Sequence, residues 1–370
     1  MNFQKADKLP VDFGSTNVTA IHIGAYRALL KKLKITHEKI EMIDFAQQLA
    51  KPCEEILNLF QADTRPVKLK HGSSGAKFLN ENECIDDWGL VWKRPPGGLY
   101  FDSSNAPLAN AGSAGEILSY PWPEIPMLAC ADGIREEARA LCENTGYALV
   151  GSFGSSIYMR AQLLRGYEQL FMDMLSDTCI FETLLDRILE IRIKLAEMLL
   201  DEAGEYLDIV EMADDIAGQE GPLFDPEIYR KYIKPRTKAL IDFIKSKHRH
   251  IKILYHSCGA VSRFIEDFIE IGIDILNPVQ ISARDMDPEM LNNKFGGRII
   301  FCGGIDQQGV LSKLSPEDVR KETLKRIEDF GRNGAYFPFS THNIQSDVRP
   351  ENIIAMFETI NSYRFLDVIN

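Results

Sequence analysis

From residue 148 onward, short apolar runs alternate with longer amphipathic stretches. The runs are Ala148–Phe153, Leu207–Met212, Ile251–Tyr255, Ile273–Leu276, Arg298–Phe301 and Ala335–Phe339. Each is short, rich in β-branched or aromatic residues, and bounded by Gly, Pro, Asn or His, as strands buried on both faces of a parallel sheet should be. Helix-period segments lie between them. From Phe181 to Ala203, residues Leu184, Leu185, Ile188, Leu189, Ile191 and Leu195 fall on one broad stripe. Ser315-Pro316-Glu317-Asp318 opens a further helix, with Ser as N-cap, Pro at the first helical position and acids in the first turn, and Arg349-Pro350-Glu351-Asn352 opens the last one similarly. Repeated strand–helix alternation predicts an α/β fold with a parallel sheet. With no run that reads as an edge strand, a closed (β/α)8 TIM barrel is favoured over an open sheet.

The first half is less regular. Asp86–Trp92 and Leu99–Phe101 flank Arg94-Pro95-Pro96-Gly97-Gly98 and predict a hairpin with a long Pro/Gly loop. Pro121-Trp122-Pro123 to Pro126 reads as a rigid connection within one domain. The expected organisation is therefore one barrel domain over 1–370, in which 1–130 is an irregular N-terminal extension with a hairpin insertion and 131–370 holds the regular units.

Composition narrows the function classes. The net charge of −12 opposes nucleic-acid binding, which needs a basic footprint. No run of about 18 apolar residues suggests a membrane span, and Met1–Asp7 lacks the charged-then-apolar pattern of a signal peptide. The seven cysteines are odd in number and scattered, so reduced thiols and a cytoplasmic location are expected.

In a barrel of this kind, chemistry gathers where the strands end. Those ends carry Ala213-Asp214-Asp215, His256-Ser257-Cys258-Gly259, Asn277-Pro278-Val279-Gln280, Cys302-Gly303-Gly304-Ile305-Asp306 and Ser340-Thr341-His342. His256-x-Cys258 is the sharpest feature. At an extended strand end, residues i and i+2 point to the same side, so an imidazole and a thiolate can share one ion. Zinc suits such borderline-soft ligands, and a catalytic site uses three protein ligands plus an open position. The third ligand is expected to be His342 or Cys302; the plain alternative for Cys302 is a small buried thiol beside a tight turn. Asp214 and Asp215 could act as acid or base, steer a substrate, or order the metal's surroundings, or they could simply cap a helix. Asn277, Gln280 and Asp306 are expected to line the substrate pocket, although Asn277 and Gln280 equally suit strand-terminating hydrogen bonds.

Taken together, Tyr255-His256-Ser257-Cys258-Gly259, Asp274–Gln280, Gly303-Gly304-Ile305-Asp306 and His342-Asn343-Ile344-Gln345 resemble the uroporphyrinogen decarboxylase superfamily, most strongly from Leu207 to Ile360. That superfamily includes the decarboxylase and zinc-dependent methyltransferases that work with methylated corrinoid proteins. The resemblance implies a barrel fold. In the methyltransferase branch a His-x-Cys pair and a distant third ligand near the last strand hold zinc; His256 and Cys258 match the pair. The methyltransferases usually place Cys in the last loop, where this chain has His342, and the decarboxylases carry a functional His near there.

The decarboxylase is similar to a cationic trap for a many-carboxylate substrate, with an arginine-rich motif near its N-terminus. Here the only arginines before Pro66 are Arg27 and Arg65. Burying several carboxylates without guanidinium partners would be costly. The leading expectation is a zinc-dependent methyltransferase with a corrinoid carried by a partner protein and a small-molecule methyl donor or acceptor. The alternatives are a metal-free decarboxylase using Asp214, Asp215 or His342, and a non-catalytic binding subunit of a corrinoid system. The segment Gly14-Ser15-Thr16 with Ile21-His22 and Tyr26 is expected either to close over the barrel mouth or, through Phe13 and Ile21, to plug the barrel bottom.

Overall fold

A computed structural model describes residues 8–364 apart from 37–38, 74 and 332–334; the leader reading of Met1–Asp7 lies outside the described residues. Seven parallel strands form one sheet in sequential neighbour order. They are β1 (Thr64–Lys68), β2 (Ala148–Ser152), β3 (Ile209–Ala213), β4 (Lys252–His256), β5 (Ile275–Asn277), β6 (Ile300–Ile305) and β7 (Tyr336–Ser340). The six runs read from the apolar pattern are β2 to β7. The helices Thr178–Ala203, Pro316–Gly331 and Pro350–Ser362 also stand where the periodicity places them. Ser315 caps the second, its Oγ accepting the Asp318 N–H at 3.2 Å.

Strand β1 escapes the pattern because Thr-Arg-Pro-Val-Lys is polar and contains a proline. Pro66 has no N–H to give a ladder, which is tolerated because only β2 pairs with this strand. Its other side is covered by the N-terminal segment. Asp63 N–H donates to Val11 O at 2.8 Å and its carboxylate accepts the Val11 N–H at 2.9 Å. Thr64 Oγ1 donates to Asp12 at 2.6 Å, and Lys68 Nζ to Asn17 Oδ1 at 2.9 Å. Residues 11–17 thus run alongside β1 in the same direction. The chain then bonds to the loop after β7, through His22 N–H to Ile344 O (2.7 Å) and Ile344 N–H to Ala20 O (2.9 Å). The eighth position of the (β/α)8 ring is filled by this irregular stretch, which is neither lid nor plug but wall. Phe13 anchors it in the core, its ring 5.9 Å from Phe60 and 5.0 Å from Phe357.

The expected hairpin exists as Val91–Lys93 paired antiparallel with Asp102–Ser103. It belongs to a four-stranded sheet that also includes Lys77–Asn80 and Glu83–Ile85. This inserted sheet reaches the barrel mouth: Phe101 N–H donates to Ala46 O at 2.8 Å, and Asp86 sits 3.6 Å from Arg160 on the helix after β2. Among the described residues no helix is long and apolar enough to cross a membrane.

Candidate metal centre

The register puts Ala213, His256 and Asn277 side by side at the ends of β3, β4 and β5. His256 Nδ1 lies 2.6 Å from Asn277 Oδ1, and both side chains are buried. An amide oxygen can only accept, so Nδ1 carries the proton and Nε2 is the atom left to act. The assignment is supported from behind, where Asn277 Nδ2 donates to Cys302 Sγ at 3.2 Å. Nε2 lies 3.3 Å from Cys258 Sγ and 3.8 Å from Asp215 Oδ1. The ligand atoms of Asp215, His256 and Cys258 all fall within 4.8 Å of one another. A tetrahedral ion with bonds of about 2.0 Å to N or O and 2.3 Å to S needs its ligand atoms roughly 3.3–3.6 Å apart; the donor set fits zinc in chemistry, with Nε2 and Sγ at that spacing and Asp215 Oδ1 slightly farther out.

Two loops must approach closely to make this cluster. Asp215 Oδ1 accepts the Cys258 N–H at 2.7 Å, Asp214 N–H donates to His256 O at 3.0 Å, and Ala260 N–H donates to Gly218 O at 2.8 Å. Gly259 permits it. Its φ is +85°, and a Cβ there would meet Gly218 O at 2.5 Å and Ala217 O at 2.6 Å. Either feature alone disfavours a side chain.

Burial by itself would lower the His256 pKa. The Cys258 sulfur, Asp215 and the Asn277 oxygen outweigh it and bring the imidazole up to about 10. The surroundings favour positive charge at this point, which a proton or a metal cation can supply.

The other predicted residues fall around this group in distinct ways. Cys302 is buried behind Asn277, and burial pushes its thiol up to about 12; it stands outside the three-residue group. His342 also stands outside it. It is held at Nδ1 by Gln345 Nε2 (2.9 Å), and burial, then the nearby His256, lowers its pKa. Asp214 turns away to accept the N–H groups of Ile157 (3.1 Å) and Met159 (2.7 Å) where the helix Tyr158–Arg165 begins, and burial raises its carboxyl to about 7. Gln280 braces the turn by accepting the Gly259 N–H at 2.9 Å and donating to Gln219 at 2.9 Å. Asp306 accepts the Gln308 N–H at 3.0 Å in the turn after β6.

Several residues with a stake in the site were not singled out from the sequence. Lys68 ends β1 and faces Glu211, Asp44 and Asp12; burial lowers its pKa against their pull. Glu211 is buried within β3 and raised for the same reason. Arg160 lines a cavity together with His342, and Arg192 is buried against Ser156 O in the stretch after β2. Recognising β1 as a strand would have placed Lys68 at a strand end, and the stretch following β2 would have yielded Arg160.

Comparison with known proteins agrees with this architecture. A methyltransferase from Methanosarcina mazei superposes with a TM-score of 0.63 at 16% identity, over 97% of this chain and 95% of that one. Uroporphyrinogen decarboxylases of Staphylococcus aureus strains JH9 and Newman are each 23% identical over 227 residues, covering 60% of this chain and 61% of the relative. The chain therefore spans about three fifths of the length of these curated relatives. Residues 125–363, well over half of the chain, match the uroporphyrinogen decarboxylase (URO-D) family, and the chain belongs to that family.

Proposed function

We propose that the protein is a methyltransferase that works with a corrinoid-carrying partner protein and holds zinc through His256, Cys258 and Asp215. The observation that carries this reading is the convergence of one nitrogen, one sulfur and one carboxylate oxygen, with the imidazole fixed from behind by Asn277. Asp215 takes the place for which His342 or Cys302 was expected. The family membership and the methyltransferase of like fold support the reading. When bound, zinc supplies Lewis acidity, which lowers the pKa of a thiol acceptor or polarises the leaving oxygen of a methyl ether.

The chain's own residues do the rest. Asn277 holds the proton on His256 Nδ1 so that Nε2 faces Cys258 and Asp215. Asp215 also fixes the turn that carries Cys258 by accepting its backbone N–H. Cys258 and Asp215 are only partly buried, so the group is reachable from solvent. His342 stands at the mouth as the residue for proton or substrate contact.

A decarboxylase reading draws on the names of the curated relatives. It lacks the cationic trap at the N-terminus: Arg27 is exposed, and Arg65 is spent on Glu54, at 2.8 and 3.0 Å, and on backbone carbonyls. Zinc analysis of native protein, with methylcobalamin consumption as the activity, separates the two. About one zinc per chain is expected, with Cys258→Ser losing at least tenfold in affinity because coordination needs a deprotonated soft ligand. Less than about 0.2 zinc per chain, with no binding on titration and CO₂ released from uroporphyrinogen, would sink the proposal.

A further inference from the structure

A cavity of about 470 Å³ opens where the inserted sheet meets residues 44–47 and His342. Four aromatic side chains form much of its wall: Phe45, Trp92, Tyr100 and Phe101. Phe45 stands nearly perpendicular to two of the others, at 89° to Trp92 with centres 6.1 Å apart and at 77° to Phe101 with centres 5.7 Å apart. The rings thus meet as the sides of a box do. Phe45, Trp92 and Tyr100 are half-buried and keep surface to meet a ligand, whereas Phe101 is buried and Arg94 lies over its ring at 5.2 Å.

The charge on the wall has one sign in excess. It carries Asp44, Asp86 and Asp102 against Arg160, and Asp86 stands 3.6 Å from that guanidinium. Lys68, the cation that faces Asp44, faces Glu211 and Asp12 as well. Burial, then the nearby His256, lowers the His342 pKa, so that ring is neutral near pH 7 and adds no cation. A cleft lined by acids holds a negative potential, and the face of an aromatic ring also attracts cations.

The carboxylates have few bonds left to give. Asp44 accepts from Gln47 N–H and Asn17 Nδ2, both at 2.8 Å. Asp86 accepts from the backbone of Trp88 and Leu90 and from Trp92 Nε1, at 2.9–3.0 Å. Asp102 is exposed. An ammonium with N–H groups would find most of these acceptors taken and would lose the hydrogen bonds it makes to water. An ion whose charge is covered by methyl groups makes no such demand, and still gains from the ring faces and the field of the acids.

We infer that this cavity binds a small quaternary ammonium ion, its methylated nitrogen among Phe45, Trp92 and Tyr100 and its charge balanced by Asp44 and Asp102. The volume sits in the lower part of the range for small-molecule sites and admits one such head group with a short substituent. This binding is separate from the metal chemistry proposed above and needs neither zinc nor a corrinoid.

The test is calorimetric titration of the native protein with choline, with its uncharged isostere 3,3-dimethyl-1-butanol, and with ethanolamine, whose nitrogen carries N–H groups. Choline is expected to bind at least fivefold more tightly than either, as a cation held against aromatic faces should. Phe45→Leu keeps an apolar wall without the ring. It should lose at least threefold in choline affinity, while the isostere changes less than twofold. Asp102→Asn, at an exposed position, should lose part of the preference for choline over the isostere. Equal binding of choline and isostere, binding of none of the three, ethanolamine binding as tightly as choline, or an undiminished preference in Phe45→Leu overturns the inference. Should Phe45→Leu fail to fold, an undiminished preference in Asp102→Asn overturns it instead. A native protein that selects choline but holds no zinc would refute the metal proposal and leave this inference standing; zinc without choline selection would do the reverse.

Discussion

Replacing Asn277 with Ala removes the group that gives His256 its working tautomer. The bond lost is 2.6 Å long and fully buried, so the Nδ1 proton is left without an acceptor and the ring is free to turn or to move its proton to Nε2. Groups that orient a metal-bound histidine in this way are typically worth 10- to 100-fold in metal affinity, about 1.4–2.7 kcal/mol. Cys302→Ala is the matched control. It removes only a weak sulfur acceptor, 3.2 Å behind the Asn277 amide, and should weaken zinc by no more than roughly threefold. The assay is competition for zinc against a chromophoric chelator, with circular dichroism to confirm that each variant is folded. If Asn277→Ala binds zinc as tightly as the native protein, Asn277 does not set the His256 tautomer. If Cys302→Ala loses more than Asn277→Ala, the sulfur is a ligand and the assignment of Asp215 is wrong.

Two further changes probe the scaffold. Gly259→Ala forces a side chain into left-handed backbone and against two carbonyl oxygens; strain and overpacking together should cost about 2–5 kcal/mol, read as a lower thermal midpoint accompanied by weaker zinc binding. Removing the chain through Phe13 takes out Leu9, Val11 and Phe13, each buried and worth about 1.5–3 kcal/mol, a sum comparable to the whole stability of a domain. Loss of the cooperative melting transition is expected, and a truncated protein that melts like the native one would show that the segment is not part of the wall.

Much of the barrel is legible in the sequence because β2 to β7 are short apolar runs between amphipathic helices, and burial on both faces leaves that mark directly. Strand β1 is not, because Pro66 and the flanking polar residues hide it, and its partner on the open side is irregular chain. The inserted sheet was half visible: the Pro/Gly loop marks one hairpin, whereas Lys77–Asn80 is an exposed strand with no apolar alternation to read. At the site, the i, i+2 spacing of His256 and Cys258 is local and readable. The arrival of Asp215 depends on the register between β3 and β4 and on the contact that Gly259 allows, neither of which a single strand end reveals. Asp214 and Asp215 are neighbours of like chemistry, yet one bonds the helix after β2 and the other faces the imidazole. Only the backbone twist between them separates the two roles.

Zinc-edge X-ray absorption of the native protein tests most directly whether one imidazole, one thiolate and one carboxylate gather a zinc ion. One sulfur at about 2.3 Å is expected, with nitrogen and oxygen neighbours at about 2.0–2.2 Å, and loss of the sulfur shell in Cys258→Ser alone. Two sulfurs per zinc, or a sulfur shell that survives Cys258→Ser and vanishes in Cys302→Ala, would contradict it.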